Sequence, residues 1–155
     1  MTPALRAADR AGVAYEIMEY IHRADADSYG LEAAAALGLP PDIIFKTLVA
    51  RVDGRSLAVA LVPVNRELDL KALAAAIGGK RAEMAAVTDA ERATGYVAGG
   101  ISPLGQRKQL PTVVDETAMA LDRLCVSGGR RGLQIRLRPA DLVALTGATV
   151  ARLAR

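Results

Sequence analysis

Asp53-Gly54 stands between two apolar runs, Leu48–Val52 and Leu57–Val64, and is the tightest local constraint on how this chain can fold. An Asp-Gly pair suits the positive φ angles of a two-residue hairpin turn. Runs of this length on either side read as strands. An antiparallel pair is therefore expected near the middle of the chain.

Caps and stops divide the rest into short elements. Thr2-Pro3 offers an N-cap followed by proline at the first helical position, and Gly12 a stop, so a helix is predicted over 3–11. Val13, Tyr15 and Ile17 alternate with Ala14, Glu16 and Met18, the period of a half-buried strand. After a polar turn over His22–Asp27, Ser28 caps a helix through Leu31–Leu37 that ends at Gly38. Pro40-Pro41-Asp42 starts a helical turn leading into Phe45-Lys46-Thr47-Leu48-Val49. Asp69 caps Leu70–Ile77, and Thr88 with Glu91 has capping-box spacing for a helix ending near Gly95. Thr112–Val114, Leu124–Ser127 and Leu133–Leu137 read as strands, the last two around the tight turn Gly128-Gly129-Arg130-Arg131-Gly132. Pro139 opens a last helix to Leu145, closed by Gly147. Strands and helices mix without strict βαβ alternation, and several strand pairs are hairpins. The expected class is α/β (α+β-like), a mixed, largely antiparallel sheet with helices packed outside. A length of 155 residues suits one domain spanning 1–155.

Hydrophobic residues make up 52% of the chain, yet only four Tyr, one Phe and no Trp are present, so the core must be aliphatic. The balance of 20 basic and 17 acidic residues gives +3, which tolerates a polyanionic partner without the dense charge of a duplex-DNA binder. Sixteen of the basic residues are Arg; the four lysines are Lys46, Lys71, Lys80 and Lys108. A single Cys125 excludes an internal disulfide and multi-cysteine zinc sites, and a single His22 excludes His-rich metal sites. No metal and no cofactor are expected. The N-terminus lacks a signal-peptide apolar core, and no stretch approaches the roughly 20 apolar residues of a bilayer span. A cytoplasmic protein without a membrane partner is expected.

Three places could carry chemistry. Lys46, at the junction of a helical turn and a core strand, either snorkels its ammonium to water or sits at a pocket rim to bind phosphate or ribose. The stretch Gly95-Tyr96-Val97-Ala98-Gly99-Gly100-Ile101-Ser102-Pro103-Leu104-Gly105 is either an ordinary long loop or a backbone nest for a ligand. It matches neither the Walker loop nor the dinucleotide fingerprint. Arg130-Arg131 on its glycine-rich turn, and Arg107-Lys108, are either solvated cations or phosphate contacts. A Ser-His-Asp arrangement would depend on His22 in a polar loop, and a Cys-His pair on Cys125 in an apolar strand. An enzyme of this composition would work by electrostatic positioning or through groups of its substrate.

Taken in order, Ile44-Phe45-Lys46-Thr47-Leu48, Leu68-Asp69-Leu70-Lys71, the stretch Thr94–Gln106, Leu110-Pro111-Thr112-Val113 and Val126-Ser127-Gly128-Gly129-Arg130-Arg131-Gly132-Leu133 closely resemble the YbaK/EbsC family. These are free-standing relatives of the editing domain inserted in bacterial prolyl-tRNA synthetases. The resemblance implies a partly barrel-like mixed sheet and a deacylase that removes Cys mischarged on tRNA(Pro), acting in trans. It implies that Lys46 contacts the terminal adenosine or its phosphate, and that backbone groups of Gly99, Gly100, Ile101, Ser102 and Pro103 hold the aminoacyl ester. Tyr20, Tyr29, Thr47 and Ser127 would line the pocket, with Arg107, Lys108, Arg130 and Arg131 toward the tRNA. The family chemistry uses no protein nucleophile: the substrate thiol attacks its own ester and leaves as a thiolactone. The implied partners are the mischarged tRNA(Pro) acceptor end and prolyl-tRNA synthetase, with the protein itself a monomer.

The chain departs from the pattern at Gln134. Some members carry there an aspartate suited to the substrate α-ammonium, and a neutral amide offers no ion pair. Editing of Ala or Ser, or non-catalytic binding of the acceptor end or the synthetase, stand as alternatives.

Overall fold

Asp53 and Gly54 take φ angles of 53° and 65°, and the Arg55 amide donates to the Val52 carbonyl at 3.0 Å. The expected turn thus joins β2 (Phe45–Val52) to β3 (Ser56–Pro63) in a register that runs from Val52↔Ser56 to Phe45↔Pro63. The Asp53 carboxylate accepts from the Lys80 and Arg81 amides, both at 3.0 Å, which braces the turn against the following strand. Hydrogen bonds from those amides and the neighbouring cations hold the Asp53 carboxyl below its ordinary pKa. The computed structural model describes residues 1–26 and 28–155; Asp27, at the end of the expected polar turn, lies outside the described residues.

Around this hairpin the order is α1 (Pro3–Ala11), β1 (Tyr15–Glu19), α2 (Tyr29–Leu37), a 3-10 turn (Pro41–Ile43), then β2 and β3. There follow α3 (Leu70–Ile77), β4 (Ala82–Met84), α4 (Val87–Thr94), β5 (Thr112–Asp115), β6 (Leu124–Ser127), β7 (Leu133–Leu137), α5 (Pro139–Thr146) and β8 (Thr149–Ala151). The strands form two sheets, β1-β7-β6 and β4-β2-β3-β5-β8. Pairing is antiparallel except for β3–β5 and β5–β8. An isolated parallel bridge, Ile44↔Cys125, joins the sheets where β2 begins beside β6. The expected mixed, largely antiparallel architecture with outer helices is what forms.

The caps act as the residue types dictate. Thr2 accepts from the Leu5 amide and Asp69 from the Ala72 amide, while Gly12, Gly38, Gly78, Gly95 and Gly147 end five helices with left-handed backbone. The Thr2 hydroxyl also donates to the Gly128 carbonyl, tying the start of α1 to the hairpin between β6 and β7. One core packs α1 and α5 against Phe45, Leu61, Leu124, Val126, Ile135 and Leu137. A second places Leu73 of α3 against Ala60, Val62 and Val113, and a third places Ala33 and Ala34 of α2 against Ile44, Val64 and Cys125. Asp115, 1% exposed, accepts from the Leu153 and Ala154 amides at 2.8 and 2.7 Å and locks the C-terminal segment down.

Three local expectations change. Thr88 and Glu91 form no capping box: α4 starts at Val87 with no side-chain cap, and the Glu91 carboxylate reaches forward to the Ala98 amide at 2.8 Å. The first strand is shifted to Tyr15–Glu19, and Ile17 is 51% exposed because β1 is an edge strand with one neighbour. The three-residue strands β4 and β8 carry too short a pattern to be read from sequence. Among the described residues no helix is long and apolar enough to cross a membrane.

Candidate functional site

In the β2–β3 ladder the Val64 amide donates to the Ile44 carbonyl, so Lys46 and Leu48 also bond toward β3 while Phe45, Thr47 and Val49 turn their backbone groups the other way. On that other side β4 reaches only Ala50–Val52, and the Val49 carbonyl is met by the Ala85 amide at 3.0 Å. Beyond the bridge to Cys125 and short of β4, the middle of β2 around Thr47 has no strand partner on that side. It borders a cavity of about 320 Å3 between the two sheets. Ser127 and Gln134, register partners on β6 and β7, line it with Tyr20, with Ser28, Tyr29 and Gly30 at the start of α2, and with Ala98, Gly99 and Ile101 of the glycine-rich loop. Lys46 and Thr47 project from the strand edge.

The polar groups of this cavity are incompletely satisfied. Lys46 is half-buried and belongs to none of the ion pairs among the described residues. Burial lowers its pKa, partly offset by the field of Glu67. The Thr47 Oγ1 and Gln134 Oε1 atoms are buried without a hydrogen-bond partner. Buried polar atoms are ordinarily paired, and an unpaired one in a cleft marks a place for a ligand or water. Burial raises the Tyr20 phenol, hydrogen bonding at Gly132 and Gln134 acts against this, and Glu32 adds to it. Ser127 Oγ accepts from the Gly129 amide at 3.1 Å.

The glycine-rich loop is fixed from several sides. Tyr96 is buried and its hydroxyl donates to the Leu104 carbonyl at 2.5 Å. Burial foremost pushes that phenol up to about 12. The Gly100 amide donates to the Val97 carbonyl at 2.8 Å, so Gly99 and Ile101 are the loop residues left facing the cavity. Gly99 has φ 86°, and a Cβ there would lie 2.7 Å from Arg131 Nε and 2.8 Å from the Tyr29 ring. A Cβ on Gly100 would lie 2.7 Å from the Arg130 Cα. The glycine pair is thus required first by the close approach of this loop to the Arg130-Arg131 turn.

Arg131 props the loop against the start of α2. Its Nε donates to the Ala98 carbonyl at 2.8 Å, and its guanidinium lies 5.0 Å from the Tyr29 ring centroid. His22 also packs on Tyr29, at 5.8 Å between ring centroids, and its Nδ1 meets the Glu32 carboxylate at 2.8 Å. Neither Arg131 as a strut nor Glu91 and Glu32 as anchors carried a sequence signal, because each acts on a partner remote in sequence.

The structure gathers Lys46, Thr47, Tyr20, Tyr29, Gly99, Ile101, Ser127 and Gln134 around one cavity. Ser102 and Pro103 are not among them. Ser102 is fully buried with its hydroxyl accepting from the Leu104 amide at 3.2 Å, and Pro103 lines a separate depression with Gln106 and Thr146. Gly100, Arg130 and Arg131 line another depression of about 270 Å3 on the outer side of the loop, with Gly95 and Tyr96. The Arg107 side chain lies beside Gly95, while Lys108 is anchored through its amide to the Ala93 carbonyl at 3.0 Å. Cys125 is wholly buried, and that burial foremost pushes its thiol up to about 11.

Residues 24–145 match the model of the aminoacyl-tRNA editing domain. Over 153 residues, 98% of this chain and 92% of the relative, the chain is 40% identical to EbsC of Enterococcus faecalis (strain ATCC 700802 / V583), provisionally named a Cys-tRNA(Pro)/Cys-tRNA(Cys) deacylase. It is 30% identical over 100 residues, 62% of this chain and 60% of the relative, to the multifunctional Ser/Thr-tRNA deacylase ProXp-y of Escherichia coli (strain K12). A crystal structure of a proposed trans-editing enzyme for prolyl tRNA synthetase superposes with a TM-score of 0.84 at 29% identity, covering 100% of this chain and 99% of that one. The YbaK/EbsC resemblance is thereby met along nearly the whole sequence, and the chain belongs to the aminoacyl-tRNA editing domain family.

Proposed function

We propose that this protein is a trans-editing deacylase that removes cysteine mischarged on tRNA(Pro). The observation that carries the reading is the cavity itself, with Lys46, which has no ion pair among the described residues, and the unpartnered Thr47 hydroxyl on one wall and the Gly99–Ile101 backbone on the other, in a chain of this family. The 3′-terminal aminoacyl adenosine enters with its ribose and phosphate toward Lys46. The ester carbonyl lies under the loop, where amides of Gly99 and Ile101 meet the developing oxyanion.

No side chain is needed as nucleophile. The substrate thiolate attacks its own ester carbonyl, a C–S bond forms and the C–O bond to the ribose breaks. The departing 3′ oxygen takes up a proton, and the thiolactone leaves. Lys46 favours the thiolate over a thiol that otherwise titrates near ~8.5. Holding sulfur against carbonyl accounts for up to roughly 7–11 kcal/mol of the barrier. Arg107, Lys108, Arg130 and Arg131 face the tRNA backbone, and prolyl-tRNA synthetase is the partner that supplies tRNA choice. The 155-residue chain acts as one cytoplasmic, monomeric domain in this reading.

A second reading, hydrolysis of Ser- or Ala-charged tRNA by bound water, is favoured by the neutral Gln134 and by the similarity to a Ser/Thr-tRNA deacylase. A deacylation panel over tRNA(Pro) charged with Cys, Ala, Ser and Pro separates the two. Release of Cys alone supports the thiol route, and equal release of Ser and Cys refutes it. Esters that stay intact beside stoichiometric, tightly bound protein would make the chain a binding module.

A further inference from the structure

Among the described residues the wall of the Lys46 cavity holds one cation, Lys46, and no carboxylate. An aminoacyl ester brings an α-amino group that is an ammonium below about pH 8 and an amine above it. Among the described residues of this cavity an ammonium would meet Lys46 and no protein carboxylate, and desolvating an unpaired charge is costly. An uncharged amine escapes that cost and can donate its two hydrogens to neutral acceptors. Two are waiting: Gln134 Oε1 and Thr47 Oγ1, both buried and both unpaired, one on each sheet. Gln134 is 7% exposed, and its amide lies beside the Tyr20 hydroxyl, which leaves the carbonyl oxygen unused.

We infer that the site takes its aminoacyl ester with the α-amino group uncharged, Gln134 Oε1 and Thr47 Oγ1 accepting its hydrogens. This rests on the aminoacyl-ester reading above and adds a charge requirement to it. The groups lining this subsite are Lys46 from β2, Tyr20 beyond β1 and Tyr29 from α2, with Arg131 of the hairpin held against the Tyr29 ring. Behind them lie the His22–Glu32 pair, Glu67 acting on Lys46, and Arg136 two residues along β7. The test must cancel the influence of these surroundings.

Two unreactive adenosine amides do so: 3′-deoxy-3′-(2-aminobutyrylamino)adenosine, in which a methyl replaces the thiol, and its butyryl counterpart lacking the amine. Calorimetric Kd values are compared from about pH 6 to about pH 9. The amino ligand is expected to tighten about tenfold or more across that range while the butyryl ligand stays level, since only the former titrates near ~8. Gln134→Asp should flatten or invert the slope for the amino ligand alone, and Gln134→Leu should weaken it at high pH without touching the butyryl ligand. An amino ligand that binds equally or better at low pH, or the same slope for both ligands, overturns the inference while leaving the aminoacyl-ester reading intact. Failure of both ligands to bind at any pH overturns that reading and this inference with it.

Discussion

Arg131 lies across the Tyr29 ring at 5.0 Å while its Nε holds the Ala98 carbonyl at 2.8 Å, so one side chain joins the start of α2 to the glycine-rich loop. The cation–π contact is worth about 0.5–2 kcal/mol and the hydrogen bond about 1 kcal/mol. Arg131→Ala is expected to lower kcat/KM for Cys-tRNA(Pro) by about tenfold or more, and Arg131→Lys should not restore it, since lysine lacks the planar fork. Full activity in the lysine variant would show that charge alone matters there.

Lys46 offers the opposite balance. Its ammonium is half-buried and has no ion-pair partner among the described residues, so Lys46→Ala should leave thermal stability unchanged or slightly higher while slowing single-turnover deacylation by about 100-fold. A lowered Tm with normal turnover would make the lysine structural.

Gly99→Ala meets both a left-handed backbone and occupied space, with Arg131 and Tyr29 atoms within 2.7 and 2.8 Å of the new Cβ. The expected cost is about 1–3 kcal/mol in urea unfolding, with a loss of deacylation beyond what the unfolded fraction explains. Unaltered stability would mean that the two loops can part freely.

Asp115 makes acid stability a measurable quantity. Burial alone would raise its carboxyl, but hydrogen bonds from the Thr117 hydroxyl and the Ala154, Leu153 and Thr117 amides outweigh that and lower it. A depressed folded pKa means the stabilisation is complete above the unfolded value of about 3.9 and fades as pH falls through the folded value. Asp115→Ala should cost about 3 kcal/mol or more in urea unfolding at neutral pH. The gap to the parent protein should narrow as pH drops below that unfolded value. A gap independent of pH would assign the loss to packing.

Much of this architecture was legible because it is written in local residue choices. Asp53-Gly54, Thr2, Ser28, Asp69 and the terminating glycines each satisfy backbone groups within a few positions. Glu91 misled for the same reason: its spacing to Thr88 fits a cap, but a loop amide seven residues onward competes for the carboxylate and wins. Lys46 and the loop holding Gly99 and Ile101 stood out by residue type with a structural reading open beside the functional one, while Thr47, Ser127 and Gln134 were legible only through the ordered resemblance. Ser102 and Pro103 belong to the same motif yet turn inward to hold the loop, a distinction that only the course of the chain after Gly100 decides. Arg131 reads on paper as a hairpin-tip cation, since nothing local says that Tyr29 and Ala98 converge on it.

Gly30, second residue of α2, sits so near β3's exit that a Cβ would fall 2.3 Å from Val64 Cγ1. Any side chain there would wedge the helix outward and carry Tyr29, its neighbour, away from Arg131. The aperture of the cavity is therefore gauged by a hydrogen atom. Residues that line the cavity can be exchanged to alter its chemistry, but its bore is set at a position with nothing to exchange.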